Sequence, residues 1–191
     1  RVGLADDHEW MGGASMSQNG IICNPNIPSE EVFTTPHALK VEGHVSSTKP
    51  LSHQGTLIDD IRVVFEKGSI TEAKASKGET VLKKVLDSDE GARRLGEVAL
   101  VPNSSPISSS GLLFYNTLFD ENAACHIALG QCYSKCFKGE KNLSTSEINE
   151  RGGNSSMIHI DWMIGSGEIN IDGFGKNGET VPIFRRGEWV D

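Results

Sequence analysis

The sequence predicts an α+β protein, a single domain with a mixed, largely antiparallel β-sheet and a few helices. Three observations predict it. Strand-like text outnumbers helical text, the two are interleaved, and no internal repeat or long linker divides the 191 residues. A chain of this length can bury a sizeable core, and its 37% hydrophobic and 23% charged residues are those of a folded chain. One domain is expected over residues 1–191.

Taken in order, residues 1–38 read as short extended pieces between turns at Gly12, Gly13, Gly20, Pro25, Pro28 and Pro36. From Leu39 the segments LKVEGHVSS and GTLIDDIRVVFEKGSI are strand-like. EKGS at 66–69 is a hairpin turn, and ITEAKAS is the returning strand. Residues 80–86 are helical. SDEGARRLGEVAL predicts a second helix, with Ser88 as N-cap, Asp89 and Glu90 in the first turn and Glu97 at its end. Residues 101–111 read as a polar loop, followed by the short apolar stretch LLFYNTLF. Asp120 can cap a helix over 121–133, which would hold His126 and, seven residues on, Tyr133 on one face. Residues 138–155 are a polar loop. MIHIDWMIG is a buried strand, and GEINIDGFGKNGETVPIF gives two strands around glycine-rich turns.

Eighteen basic against 26 acidic residues leave a net charge of −8, which argues against nucleic acid or an anionic membrane as partner. No apolar run is long enough to cross a bilayer. Cys23, Cys125, Cys132 and Cys136 form no CxxC pair; the last three suit one helix better than a disulfide framework, and a reducing, cytoplasmic location is expected. The sequons at Asn103, Asn142 and Asn154 arise easily by chance.

The strand MIHIDWMIG carries the sharpest chemical signal. Residues two apart on a strand share a side, so Ile158, Ile160, Trp162 and Ile164 make an apolar face and His159 and Asp161 point together from the other. Burying both without a partner is costly. His126, Glu97 and Glu31 are further polar groups set in apolar text. Each has a plain structural alternative: a satisfied core histidine, a solvated glutamate at a helix end, a surface pair of glutamates. If they converge, two imidazoles and several carboxylates suit zinc, cobalt or manganese. Five ligands exceed what one catalytic ion takes and suit two ions sharing a carboxylate, with a water or hydroxide between them for amide hydrolysis. One of the adjacent glutamates could then act as general base, and Tyr133 could donate to an oxyanion.

The segments NPNIPSEEVFTTPH, VEGHVSSTKPLSHQGTLIDDI, GARRLGEVALVPNSSPIS, LLFYNTLFDENAACHIALG and MIHIDWMIGSGEINIDG together resemble the C-terminal, metal-binding half of the thermophilic metallo-aminopeptidases, the group of aminopeptidases S, T and II. The resemblance runs over nearly the whole chain. It implies five metal ligands, Glu31, Glu97, His126, His159 and Asp161, with Glu97 bridging. It also implies Tyr133 as a catalytic tyrosine, while Glu30 as general base is an inference from mechanism. Two divalent ions are implied, zinc or cobalt first, with manganese or magnesium as alternatives. The expected partners are peptides with a free N-terminus and a second copy of the chain in a homodimer; the family's N-terminal domain is absent from these residues. Glu121 and Asp120 are candidates to hold the substrate's α-amino group, although helix capping explains them equally well. A non-catalytic metal-binding, protein-binding or carbohydrate-binding module is the alternative. A serine or cysteine hydrolase using His8, His37, His44 or His53 lacks a GxSxG elbow or a reactive-cysteine signature, and His44 and His53 could instead support a metal site or touch substrate.

Overall fold

The computed structural model describes residues 1–24, 30–139 and 143–191. Pro25 and Pro28, expected at turns, and the Asn142 sequon lie outside them.

The strands that position the site form one five-stranded sheet. They are β1 (Met11–Gly12), β2 (Val32–Thr34), β3 (Leu95–Leu100), β4 (His126–Gly130) and β5 (His159–Met163), lying in the order β5-β4-β3-β2-β1. Every strand pairing among the described residues is antiparallel. The remaining strands form smaller sheets of two or three strands, so the α+β class holds but the strands are shared among several sheets. β5 is an edge strand, and the Thr48 N–H donates to the Met163 carbonyl beside it.

One face of the five-stranded sheet builds the main core. Leu95, Ile127, Leu129 and Trp162 pack with Val63, Phe65 and Ile70 of the sheet formed by Gly43–Ser46, Arg62–Glu66 and Ser69–Lys74. Leu51 and Ile58 of a short hairpin and Leu82 and Leu86 of the helix Glu79–Leu86 complete it. The expected 66–69 turn joins Arg62–Glu66 to Ser69–Lys74. Lys67 and Gly68 both have positive φ there (49° and 81°), the geometry of a tight two-residue hairpin. Gly68 is required, because a Cβ would lie 1.8 Å from the Ala38 carbonyl oxygen.

Several expected helices are corrected. GARR forms only a short 3-10 turn, Glu90–Arg93, capped by Asp89 rather than Ser88: the Asp89 carboxylate accepts from the Ala92 N–H at 2.9 Å. Glu97 therefore sits in strand β3, not at a helix end. The helix expected over 121–133 is a 3-10 turn, Glu121–Ala123, followed by strand β4. His126 and Tyr133 do not share a helix face, and Cys125, Cys132 and Cys136 do not lie on one helix. The reason is burial on both faces. All five residues of β4, and all of β3 except Val98, are buried, so the alternation that marks a strand is lost and a short apolar run reads as a helix. Short helices also occur at Pro106–Ser110 and Thr145–Glu150, within stretches expected to be loops. Their caps are local: Ser105 accepts from the Ser108 N–H, and Ser144 forms a capping box with Glu147.

Candidate metal centre

Strand register decides which side chains meet. Residues directly opposite each other in an antiparallel sheet point to the same face. Glu97 lies opposite Ala128, and Ala128 opposite Asp161, so these three form one row across β3, β4 and β5. The next row is Ala99, His126 and Met163, and beyond the first row Gly130 lies opposite His159. Glu97, His126, His159 and Asp161 thus share the face opposite the core. Phe33 lies opposite Ala99 on that face, and Glu31, two residues before Phe33 at the entry to β2, joins the group. The methyl of Ala128 between the two carboxylates keeps the floor low enough for them to converge above it.

A β-bulge gives Glu97 its direction. Leu95 lies opposite Leu129, yet Glu97 lies opposite Ala128, so β3 advances two residues while β4 advances one. In a regular strand Leu95 and Glu97 would share a face. The extra residue, Gly96, separates them, sending Leu95 into the core and Glu97 into the site. A Cβ on Gly96 would meet the Gln131 and Gly130 carbonyl oxygens at 2.3 and 2.5 Å, so the bulge admits only glycine here without backbone movement.

The donor atoms form two trios that share one residue. Glu31, Glu97 and His126 each offer an atom within 4.8 Å of the others, and so do Glu97, His159 and Asp161. His126 Nε2 lies 3.5 Å from Glu31 Oε2, and His159 Nε2 lies 3.3 Å from Glu97 Oε2 and 3.5 Å from Asp161 Oδ2. The opposite ring nitrogens are anchored to backbone: His126 Nδ1 to the Ala124 carbonyl at 3.1 Å, His159 Nδ1 to the Gln131 carbonyl at 2.7 Å. Donation from Nδ1 points each Nε2 into the site, where it offers a lone pair to a cation once its proton is displaced. His159 Nε2 and Asp161 Oδ1 are buried with no aligned hydrogen-bond partner among the described residues.

Burial and crowding set the charges. Burial first, then the Asp161 carboxylate, push Glu121 up to about 8. Burial likewise raises Glu97, although the nearby His159 imidazole opposes it. For His126, burial lowers the pKa, but the hydrogen bond to Glu31 and the Asp161 and Glu97 charges outweigh it, giving about 10. The same contest at His159, won by Asp161 and Glu97, gives about 11. Without a cation, burial and mutual crowding favour the protonated forms of Glu121, His126 and His159.

A cavity of about 440 Å³ opens over this face. Tyr133 and Glu121 line it with the five residues above. The Tyr133 ring packs 4.7 Å from the His159 ring, and burial followed by the Glu97 charge raises its phenol above the ordinary tyrosine value, so it stays an O–H donor. Glu30 is exposed and is not among the residues lining the cavity. Asp120 is a structural residue: its carboxylate accepts from the N–H groups of Phe114 (2.7 Å) and Asn116 (3.0 Å). His53 lines the cavity, and burial lowers its pKa; His44 is exposed and does not line it. His8 Nδ1 lies 2.8 Å from the Ala5 carbonyl, and His37 Nδ1 accepts from the Leu39 N–H. Burial raises the Cys125, Cys132 and Cys136 thiols, leaving them protonated rather than nucleophilic. Asn154 is buried, and its amide donates to the Gly91 and Gly130 carbonyls, which removes that sequon from the surface.

The donor set fits a divalent cation. It offers two imidazole nitrogens and several carboxylates, with unsatisfied atoms facing one space, the pattern of zinc, cobalt or manganese sites. The sequence contained two further signals: a glycine inside an apolar strand-like run, which marks a bulge, and a small alanine two residues after Glu97 in LGEVAL and two after His126 in HIALG.

The chain is similar to known proteins over its whole length. A family model described as thermophilic metalloprotease (M29) matches residues 1–189. The chain is 55% identical over 189 residues to aminopeptidase T of Thermus aquaticus and 54% identical to aminopeptidase 2 of Geobacillus stearothermophilus; both alignments cover 99% of this chain and 46% of the relative. The solved structure described as wild-type AmpT from Thermus thermophilus matches with a TM-score of 0.93 at 53% identity, over 100% of this chain and 47% of that one. The chain thus spans about half the length of the curated relatives it matches.

Proposed function

The chain belongs to the thermophilic metalloprotease family (M29), and from that premise we propose that residues 1–191 carry the catalytic centre of a metal-dependent aminopeptidase acting on peptides with a free N-terminus. The observation that carries this reading is the pair of donor trios joined at Glu97. We assign Glu31, Glu97 and His126 to one divalent ion and Glu97, His159 and Asp161 to a second, with Glu97 bridging. Charge supports two ions. Glu31, Glu97, Glu121 and Asp161 bring four carboxylates to one cavity. Two divalent cations balance them, whereas one would leave two buried negative charges uncompensated. Zinc or cobalt is the assignment the donor chemistry favours.

Divalent ions bound here would supply a polarised substrate carbonyl and an acidified water at neutral pH. The chain's own residues do the rest. Tyr133, protonated throughout the neutral range, donates a hydrogen bond to the carbonyl oxygen as negative charge grows on it. Glu121 lines the cavity and holds the α-amino group, a contact Asp120 cannot make while its oxygens accept from backbone. Glu30, adjacent to Glu31, is the proposed general base; because it is exposed, that role requires its side chain to turn inward, and Glu30→Gln tests it. A homodimer enclosing the site belongs to the same proposal, and sedimentation of the chain tests it.

The test of function is hydrolysis of an aminoacyl-anilide. Chelation abolishes it and added zinc or cobalt restores it. Undiminished hydrolysis in chelator contradicts the proposal, and two bound ions without cleavage of any peptide would favour a binding module.

A further inference from the structure

One cavity residue has no part in the reading above. Lys135 is the single lysine or arginine among the described residues lining the cavity, which is otherwise rich in carboxylates. Its ammonium makes no ion pair among the described residues, although the chain carries 26 acidic residues. It lies instead 4.7 Å from the centre of the Phe33 ring and 5.3 Å from that of Tyr133. Those two rings pack edge to face at 5.7 Å, and the far neighbour of Tyr133 is His159. The ammonium is therefore held by aromatic faces, one ring away from the proposed metal ligands.

The backbone under it is fixed. Lys135 sits in the turn Ser134–Cys136, whose Cys136 is fully buried; the Cys136 N–H donates to the Tyr133 carbonyl, and the Glu9 N–H donates to the Cys136 carbonyl. Lys135 itself is exposed, at the cavity mouth rather than its floor. A peptide whose amino end enters the acidic interior must run outward past this mouth. One peptide residue spans at most about 3.6 Å, so a group one to two residues beyond the cleaved bond arrives at the distance of one aromatic ring.

We propose that Lys135 is a specificity-determining residue that pairs with a carboxylate carried by the leaving portion of the peptide. This rests on the aminopeptidase reading. The carboxylate can be the C-terminus of a dipeptide or tripeptide, or an acidic side chain just after the cleaved bond. The chemistry is the same, and substrates separate the two sources.

The experiment compares leucyl dipeptides with a free or amidated C-terminus, and leucyl peptide amides with Glu or Gln after the cleaved bond. The intact chain is to favour the carboxylate-bearing member of at least one pair by roughly fivefold in kcat/KM, mainly through KM, as a partly exposed ion pair provides. Lys135→Met brings that ratio near one, Lys135→Arg preserves it, and added salt erodes it. Ratios near one in the intact chain, or a ratio unchanged in Lys135→Met, overturn the proposal while leaving the aminopeptidase reading standing. Failure to cleave either pair or an aminoacyl-anilide overturns the aminopeptidase reading. Lys135 is then judged by equilibrium binding of the same peptides with a reduced, uncleavable linkage, where equal affinity of the acid and neutral forms overturns it.

Discussion

The two faces of one sheet divide the labour of this protein. On β3, β4 and β5 the residues Leu95, Ile127, Leu129 and Trp162 point one way into the main core. Glu97, His126 and Asp161 point the other way, and the last two lie one residue from core members Ile127 and Trp162. Both faces are buried, yet by different physics. The core face gains stability by removing apolar surface from water. The site face has hidden four carboxylates and two imidazoles, which costs stability unless something neutralises them. The comparison teaches that the same strands gain folding energy on one side and give some of it up to a crowded, buried candidate metal centre on the other.

The largest test of that division is Trp162→Ala. Removing this almost fully buried ring is expected to cost about 3–5 kcal/mol, read as a fall in the unfolding midpoint of metal-free and metal-loaded chain alike. Glu97→Gln should do the reverse on the opposite face. Loss of the shared ligand lowers metal affinity by about 100-fold or more, beyond the ~10–100-fold of an outer-sphere change. The metal-free chain, relieved of a buried carboxylate, unfolds no earlier than the original. If Glu97→Gln destabilises the metal-free chain as Trp162→Ala does, the two faces do not differ as described.

Gly96→Ala sharpens the comparison at the point where the faces are separated. Its Cβ runs into backbone oxygens rather than a movable side chain, so it is expected to cost about 1–3 kcal/mol. It should also lower metal stoichiometry by turning Glu97, measurable by calorimetric titration with zinc. Normal stoichiometry in this variant would show that the bulge does not aim the ligand.

The smallest effect is on pH dependence. In the metal-free site, His126 and His159 have pKa values raised to about 10 and 11, and Glu121 to about 8. A raised folded value means stability that is present at low pH and lost as pH rises. For Glu121 the loss runs from its ordinary 4.5 up to about 8, so the metal-free chain melts earlier at pH 8 than at pH 5, and Glu121→Gln makes that slope shallower, most clearly below pH 6.5. The histidine contribution is full below 6.5, falls as pH rises from there, and is gone only above the folded values of about 10 and 11. Since a cation must displace these protons, zinc binding at pH 7 releases about one to two of them per chain, measured by calorimetry in buffers of different ionisation enthalpy. No release would mean that the histidines are neutral in the empty site.

How far the sequence could be read follows from the same two faces. The strand MIHIDWMIG was legible because its faces alternate, Trp162 against Asp161. The hairpin at Lys67 and Gly68 was legible from turn chemistry, and the helix Glu79–Leu86 was expected over 80–86. β3 and β4 were not, because each is covered on both sides and its side chains no longer alternate between apolar and polar. Their residues were picked out correctly as polar groups in apolar text, yet placed on helices that do not exist. The convergence of Glu31 with residues 66 to 130 positions later depends on strand order, which no local pattern carries. Only the resemblance of whole segments to a family bridged that gap.

The central claim is that register and bulge together put Glu97 between two cations. Anomalous diffraction from crystals of the chain grown with zinc tests it most directly. The account predicts two ions about 3.5–4 Å apart, one held by Glu31 and His126, the other by His159 and Asp161, with Glu97 touching both. A single ion, or a pair that leaves Glu97 unbound, would contradict it.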